Sequence, residues 1–241
     1  MVDSGNDFLN IDKGIIVAAD VNTIEDLRHL ADLSSKVPQV AAIKVGFSLA
    51  LRYSLPTVVN TVKEVCNLPV IYDHQKAATD IPAMGKPFAK VCSDAGVQGV
   101  IFFPQAGPKT LEAFVSSAFD SDLVPIVGLA MTHEAYLQSE GGYIDDNAPE
   151  LICKIAIANG VRNFVLPGTK PDIIKNFSKN FLTPIQPAII MMPGIGSQGG
   201  SIDHAFEAAK GHYPFAIIGS AVYNATDPQK ALKKFAAEME K

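Results

Sequence analysis

Eight times along the chain a short, continuously apolar run is followed by a segment of helical periodicity, and no other feature constrains the fold as much. The runs lie at 15–19, 40–45, 70–73, 97–103, 124–131, 162–166, 188–192 and 215–218. Runs this apolar suit strands buried on both faces, and parallel strands need crossovers, which the intervening helical segments supply. The pattern predicts an α/β protein whose eight units close into a (β/α)8 TIM barrel. The rival, an open doubly wound sheet, places helices on both faces and usually has no use for an eighth unit. A length of 241 residues suits one such barrel. Residues 1–12 read as an irregular N-terminal arm outside the core, with a single barrel domain over 13–241. Helices are expected at 48–67 despite Pro56, 82–95, 110–119, 149–159 and 227–240, and Asn22 or Thr23 should cap the first one.

With 48% hydrophobic and 19% charged residues the chain can bury a sizeable core and shows no compositional sign of disorder. A net charge of -5, with Arg28, Arg52 and Arg162 as its only arginines, gives no basic stripe, which argues against a nucleic-acid partner. No apolar run approaches the length needed to span a bilayer and the start lacks a signal-peptide pattern, so no membrane association and a cytoplasmic location are expected. Cys66, Cys92 and Cys153 are far apart and in apolar or helical surroundings, as reduced core thiols would be.

In a barrel of this kind the active site gathers at the C-terminal strand ends. There the sequence places Asp20 after the first strand, Lys44 near the end of the second and Asp73 at the end of the third, with Lys76 and Asp80 in the loop that follows. Charges beside a core must pair with each other or act on a ligand. Carboxylates beside Lys76 would keep its ammonium protonated, which makes it a candidate proton donor. The loop Pro193-Gly-Ile-Gly-Ser-Gln-Gly-Gly200 after the seventh strand and Gly219-Ser220 after the eighth lie where such barrels often hold phosphate on backbone N–H groups and a helix N-terminus. His133 and His204 lack metal-motif spacing and read as polar loop or surface residues. Asp145 and Asp146 read as solvated loop residues.

From 15 to 228 the ordered pieces resemble the orotidine 5'-phosphate decarboxylase family. They are Ala-Asp-Val at 19–21, Ile-Lys-Val-Gly at 43–46, the Asp, Lys and Asp-Ile-Pro elements within 73–82, Ala-Met-Thr at 130–132, Met-Pro-Gly-Ile-Gly-Ser-Gln-Gly-Gly at 192–200 and Ile-Gly-Ser-Ala-Val-Tyr-Asn-Ala at 218–225. The resemblance implies a cofactor-free and metal-free decarboxylation of a nucleotide to UMP in a barrel that dimerises. It makes Lys76 the proton donor to C6 of the pyrimidine, sets Asp73 beside the departing carboxylate and completes the charge array with Lys44, which also contacts ribose. Asp80 would reach the neighbouring subunit's site. Asp20 would bind ribose hydroxyls, Thr132 the base, and Gln198, Gly199, Gly219 and Ser220 the phosphate.

Two features depart from the family pattern. The spacings Asp73 to Lys76 and Lys76 to Asp80 are three and four residues, where the family has two and three. An odd offset within a regular strand would send Asp73 and Lys76 to opposite faces, so the strand is expected to end or bulge between them. At the phosphate end, Ser220 stands where the family carries arginine. Two rival readings follow: a magnesium-dependent sugar-phosphate lyase or decarboxylase of the same superfamily, or a catalytically silent nucleotide-binding barrel. Relatives of the first kind end their second strand in a metal-binding glutamate, and Lys44 holds that place here.

Overall fold

The computed structural model describes residues 8–75 and 77–239. Eight parallel strands, β1 (Gly14–Ala18), β2 (Val40–Gly46), β3 (Val70–Asp73), β4 (Gly99–Phe102), β5 (Val124–Gly128), β6 (Asn163–Val165), β7 (Ile189–Pro193) and β8 (Tyr213–Ile218), pair in sequence order and close β8 onto β1. The predicted (β/α)8 barrel is the observed fold.

Alternation along each strand divides the core in two. Ile16, Ala18, Ala42, Ile71, Ile101, Ile126, Val165, Met191 and Ile217 fill the barrel interior. Their neighbours Ile15, Val17, Ile43, Val45, Val70 and Tyr72 pack outward against the helices. The period of two therefore aims Lys44, two residues after Ala42, and Asp73, two after Ile71, into the interior at its C-terminal end.

The N-terminal segment corrects one expectation. Residues 8–12 form no helix or strand, yet Leu9 is 2% exposed and packs with Phe8 and Ile11 against the interior cluster. Its apolar side chains close the barrel floor, which eight strand ends alone leave open to water.

The first helix, Ile24–Ser35, is capped by Thr23, whose hydroxyl accepts from the Asp26 N–H. The helix expected over 48–67 is two helices, Phe47–Tyr53 and Leu55–Lys63, separated at Ser54 with φ of 68°. Pro56 sits in the first turn of the second, where its missing N–H costs nothing. The segment after β3 begins as a 3-10 turn, Pro82–Met84, before Gly85–Asp94 becomes α-helical. Among the described residues no helix is long and apolar enough to cross a membrane. Cys66, Cys92 and Cys153 are buried and unpaired.

Candidate active site

Adjacent strands set the depth of each charged group. Ala18 is level with Lys44, and Gly46 with Asp73, so Lys44 starts one layer below Asp73. Its four-carbon stem carries the ammonium upward to Asp73 Oδ2 at 2.8 Å and Asp20 Oδ1 at 3.5 Å. Gly46 leaves room for this meeting, since a Cβ there would stand 2.9 Å from Asp20 Oδ1.

Lys44 is 6% exposed and Asp73 9%. Burial pulls the lysine towards its neutral form, but the charges of Asp73 and then Asp20, with their hydrogen bonds, outweigh it and hold the pKa above the ordinary lysine value. Lys44 is thus a fixed cation. Asp73 Oδ1 is buried and finds no hydrogen-bond partner among the described residues. An unpaired buried carboxylate oxygen is costly, and sites keep such groups for ligands.

β3 ends at Asp73, and the chain turns at once, with the Ala77 N–H donating to the His74 carbonyl at 2.7 Å. Ala78 follows in left-handed conformation, with φ of 63°. The strand therefore stops before residue 76, as the odd spacing required. Lys76 itself, the expected proton donor, lies outside the described residues. The turn is tied down by a 2.7 Å hydrogen bond between Tyr72 Oη and His74 Nδ1, and the His74 ring also packs on Phe88. Burial pushes the Tyr72 hydroxyl up to about 12, so it stays protonated.

Two connected cavities open at this end. The inner chamber, about 420 Å³, joins Asp20, Lys44 and Asp73 to Thr132, Gln198, Gly219 and Ser220. The outer vestibule, about 770 Å³, shares the three charged residues and is walled by Phe47, Leu51, Met131, Tyr136, Tyr143 and Ile144. Gln198 folds back over the loop after β7: a Cβ on Gly194 would lie 3.2 Å from both Gln198 Oε1 and Thr132 Cγ2. The phosphate-end and base-end candidates thus face each other across one glycine, whose φ of 90° also requires it.

Two expected site residues lie outside both cavities, Asp80 as its expected reach to a neighbouring subunit requires and Gly199 against expectation. Gly199 lines neither cavity, and its N–H donates to the Gly196 carbonyl at 3.0 Å, so it shapes the loop. The Gly196 and Gly200 N–H groups are likewise taken, by Gly200 O and Gly194 O at 3.0 Å, which removes them from the expected phosphate cradle. Asp80 lies outside both cavities; its Oδ1 accepts from the Ile81 N–H at 2.7 Å and its carbonyl from the Thr110 hydroxyl at 2.9 Å.

Sequence reasoning missed Gln75, Ser197 and Tyr223, which all line the inner chamber. The signal was there for Ser197 and Tyr223, since both lie within the loop stretches already singled out. His133 is exposed, lines both cavities and meets Tyr136 edge-on at 5.8 Å; His204 is an exposed helix residue remote from the site. Asp145 and Asp146 accept hydrogen bonds from Asn147 and Ser139 and so order the excursion that carries Tyr143.

A closed barrel whose strand ends converge on a buried lysine between two carboxylates, beside a chamber of neutral donors, has the organisation of a barrel enzyme acting on a small polar ligand. Residues 13–235 match the family model described as "Orotidine 5'-phosphate decarboxylase / HUMPS family". The curated orotidine 5'-phosphate decarboxylase of Methanosarcina barkeri is 30% identical over 233 residues, covering 94% of this chain and 94% of that protein. Its counterpart from Pyrococcus furiosus is 30% identical over 227 residues, covering 93% and 97%. Among solved structures, orotidine 5'-phosphate decarboxylase from Pyrococcus horikoshii superposes with a TM-score of 0.75 at 26% identity, covering 94% of this chain and 100% of that one. The chain belongs to the orotidine 5'-phosphate decarboxylase / HUMPS family.

Proposed function

We propose that the protein converts orotidine 5'-phosphate to UMP and CO2 in pyrimidine biosynthesis, without a cofactor. The observation that carries this reading is the buried Lys44 ammonium bridging Asp73 and Asp20, with Asp73 Oδ1 left for a ligand. The bond between C6 and the carboxylate breaks, CO2 leaves, and the electron pair stays on C6. Lys76 stabilises that charge and delivers its proton to C6, and solvent reprotonates the amine. Asp73 stands beside the departing carboxylate, and its negative charge is tolerated there because Lys44 neutralises it from below.

Asp20 and Lys44 hold the ribose hydroxyls, Thr132 approaches the base, and Gln198, Gly219 and Ser220 border the phosphate. Excluding water from the chamber strengthens each of these contacts. The decarboxylase reading is favoured over a metal-dependent lyase because the place between the two carboxylates, where a cation would gather its ligands, is filled by the lysine ammonium.

The assembly belonging to this reading is a homodimer with Asp80 lent to the neighbouring site. Asp80 lines neither cavity of its own chain, and Ile81 and Met84 beside it are 62% and 41% exposed. Large apolar side chains on such a surface suit burial against a second copy. A cytoplasmic location accords with three unpaired thiols.

The test is loss of orotidine 5'-phosphate absorbance on adding purified protein, with and without a chelator. Chelator-insensitive turnover supports the reading, and chelator-abolished activity would shift it to the lyase. Mixing Lys76→Ala with Asp80→Ala subunits checks the shared site. If Asp80 acts across the dimer, a mixed dimer regains one intact site; no recovery would place Asp80 in its own subunit's chemistry.

A further inference from the structure

Among the described residues, the chamber end formed by the loop after β7 and the turn after β8 is lined by no lysine or arginine. Thr132, Ser197, Gln198, Ser220 and Tyr223 line it, all neutral. Lys44, the one lysine among the described lining residues, is held by Asp73 and Asp20. Three of the loop's N–H groups are already taken by loop carbonyls. A hydrogen bond joins the two segments: the Ser220 hydroxyl donates to the Ser197 hydroxyl at 2.9 Å.

Resting on the decarboxylase reading, we propose that Ser197 and Ser220 form a neutral hydroxyl clamp for the substrate's phosphate monoester, with Ser197 as a substrate-binding residue in its own right. Without ligand each hydroxyl satisfies the other. With phosphate bound, each rotates to donate to a separate non-bridging oxygen, so one neutral hydrogen bond is exchanged for two charge-assisted ones. Because Ser197 sits in the loop after β7 and Ser220 in the turn after β8, the phosphate takes over the bond that joins them. The clamp is also uncharged, so phosphate recognition here depends on direct hydrogen bonds and is weakly sensitive to salt.

The test is calorimetric binding of UMP and of uridine to the wild type and to Ser197→Ala, Ser197→Thr, Ser220→Ala and Ser220→Arg. A hydrogen bond to a charged group is worth roughly tenfold to a hundredfold in affinity. Ser197→Ala should therefore weaken UMP binding at least about tenfold and leave uridine within about twofold, and Ser197→Thr should restore UMP binding. Ser220→Arg should make UMP affinity fall more steeply with salt than in the wild type. Unchanged UMP affinity in Ser197→Ala, or an equal loss for uridine, would overturn the clamp. The two readings fail separately. A wild type that never decarboxylates but loses UMP affinity on Ser197→Ala upholds the clamp and refutes the decarboxylase, whereas an active enzyme indifferent to Ser197→Ala does the reverse.

Discussion

Replacing Lys44 by methionine keeps most of the side-chain volume and removes only the charge, which isolates the energetics of the site's centre. Asp73 is 9% exposed, its Oδ2 loses a partner at 2.8 Å, and its Oδ1 already has none among the described residues. Breaking a buried pair this way costs about 3 to 5 kcal/mol. The Asp20 arm is different: at 3.5 Å, with an Asp20 side chain 46% exposed, solvent screens it, and Asp20→Asn should cost less than about 1 kcal/mol. Urea unfolding, followed by fluorescence and far-UV circular dichroism to check that the transitions coincide, measures both. With a slope of about 3 kcal/mol per molar, Lys44→Met should move the midpoint down by about 1 to 1.7 M. Adding Asp73→Asn to Lys44→Met should recover much of the loss, because the stranded charge is gone. A Lys44→Met midpoint matching that of Asp20→Asn, or a double variant whose losses simply add, would refute the claim that Lys44 neutralises a buried Asp73.

Other expectations follow from individual environments. Burial lowers the His212 pKa, partly offset by its hydrogen bond with the Ser178 carbonyl, and its Nδ1 accepts the Ala188 N–H at 3.1 Å. The neutral ring is therefore the folded form; stability is fully present above the unfolded histidine value of about 6.5 and declines as pH falls below it. A His212→Gln variant should show a flatter stability profile between pH 7 and 5. The Cys92 and Cys153 thiols are pushed up to about 12 by burial and Cys66 is raised for the same reason, so Ellman's reagent should label none of the three in native protein at pH 8 and all of them in urea. Gly46→Ala puts a Cβ 2.9 Å from Asp20 Oδ1, which should displace that carboxylate and weaken UMP binding several-fold; unchanged affinity would show that Asp20 does not need its present position.

The barrel was legible because burial on both faces of a parallel strand demands uninterrupted apolar runs, and eight of them survive in the sequence. The inward aim of Lys44 and Asp73 was legible for the same reason, through the period of two. Less visible were features set by loops. Nothing in the pattern of 48–67 marks Ser54 as a left-handed break, and glycine N–H groups that looked available for phosphate are taken by the loop's own turns. The arm was misjudged because Phe8, Leu9 and Ile11 follow neither a strand nor a helix period, yet together they close the barrel floor. Asp80, expected from its place in the motif to serve a neighbouring subunit's site, lines neither cavity of its own chain, where two extra residues between Asp73 and Asp80 lengthen the loop.

If charge placed around C6 performs the decarboxylation, turnover by the wild type and by Lys76→Ala in D2O, with UMP analysed by proton NMR, should show it. The wild type should yield UMP carrying deuterium at C6, and Lys76→Ala should slow its formation by at least about a hundredfold, with an unchanged circular dichroism spectrum. UMP formed by Lys76→Ala within tenfold of the wild-type rate would contradict the account.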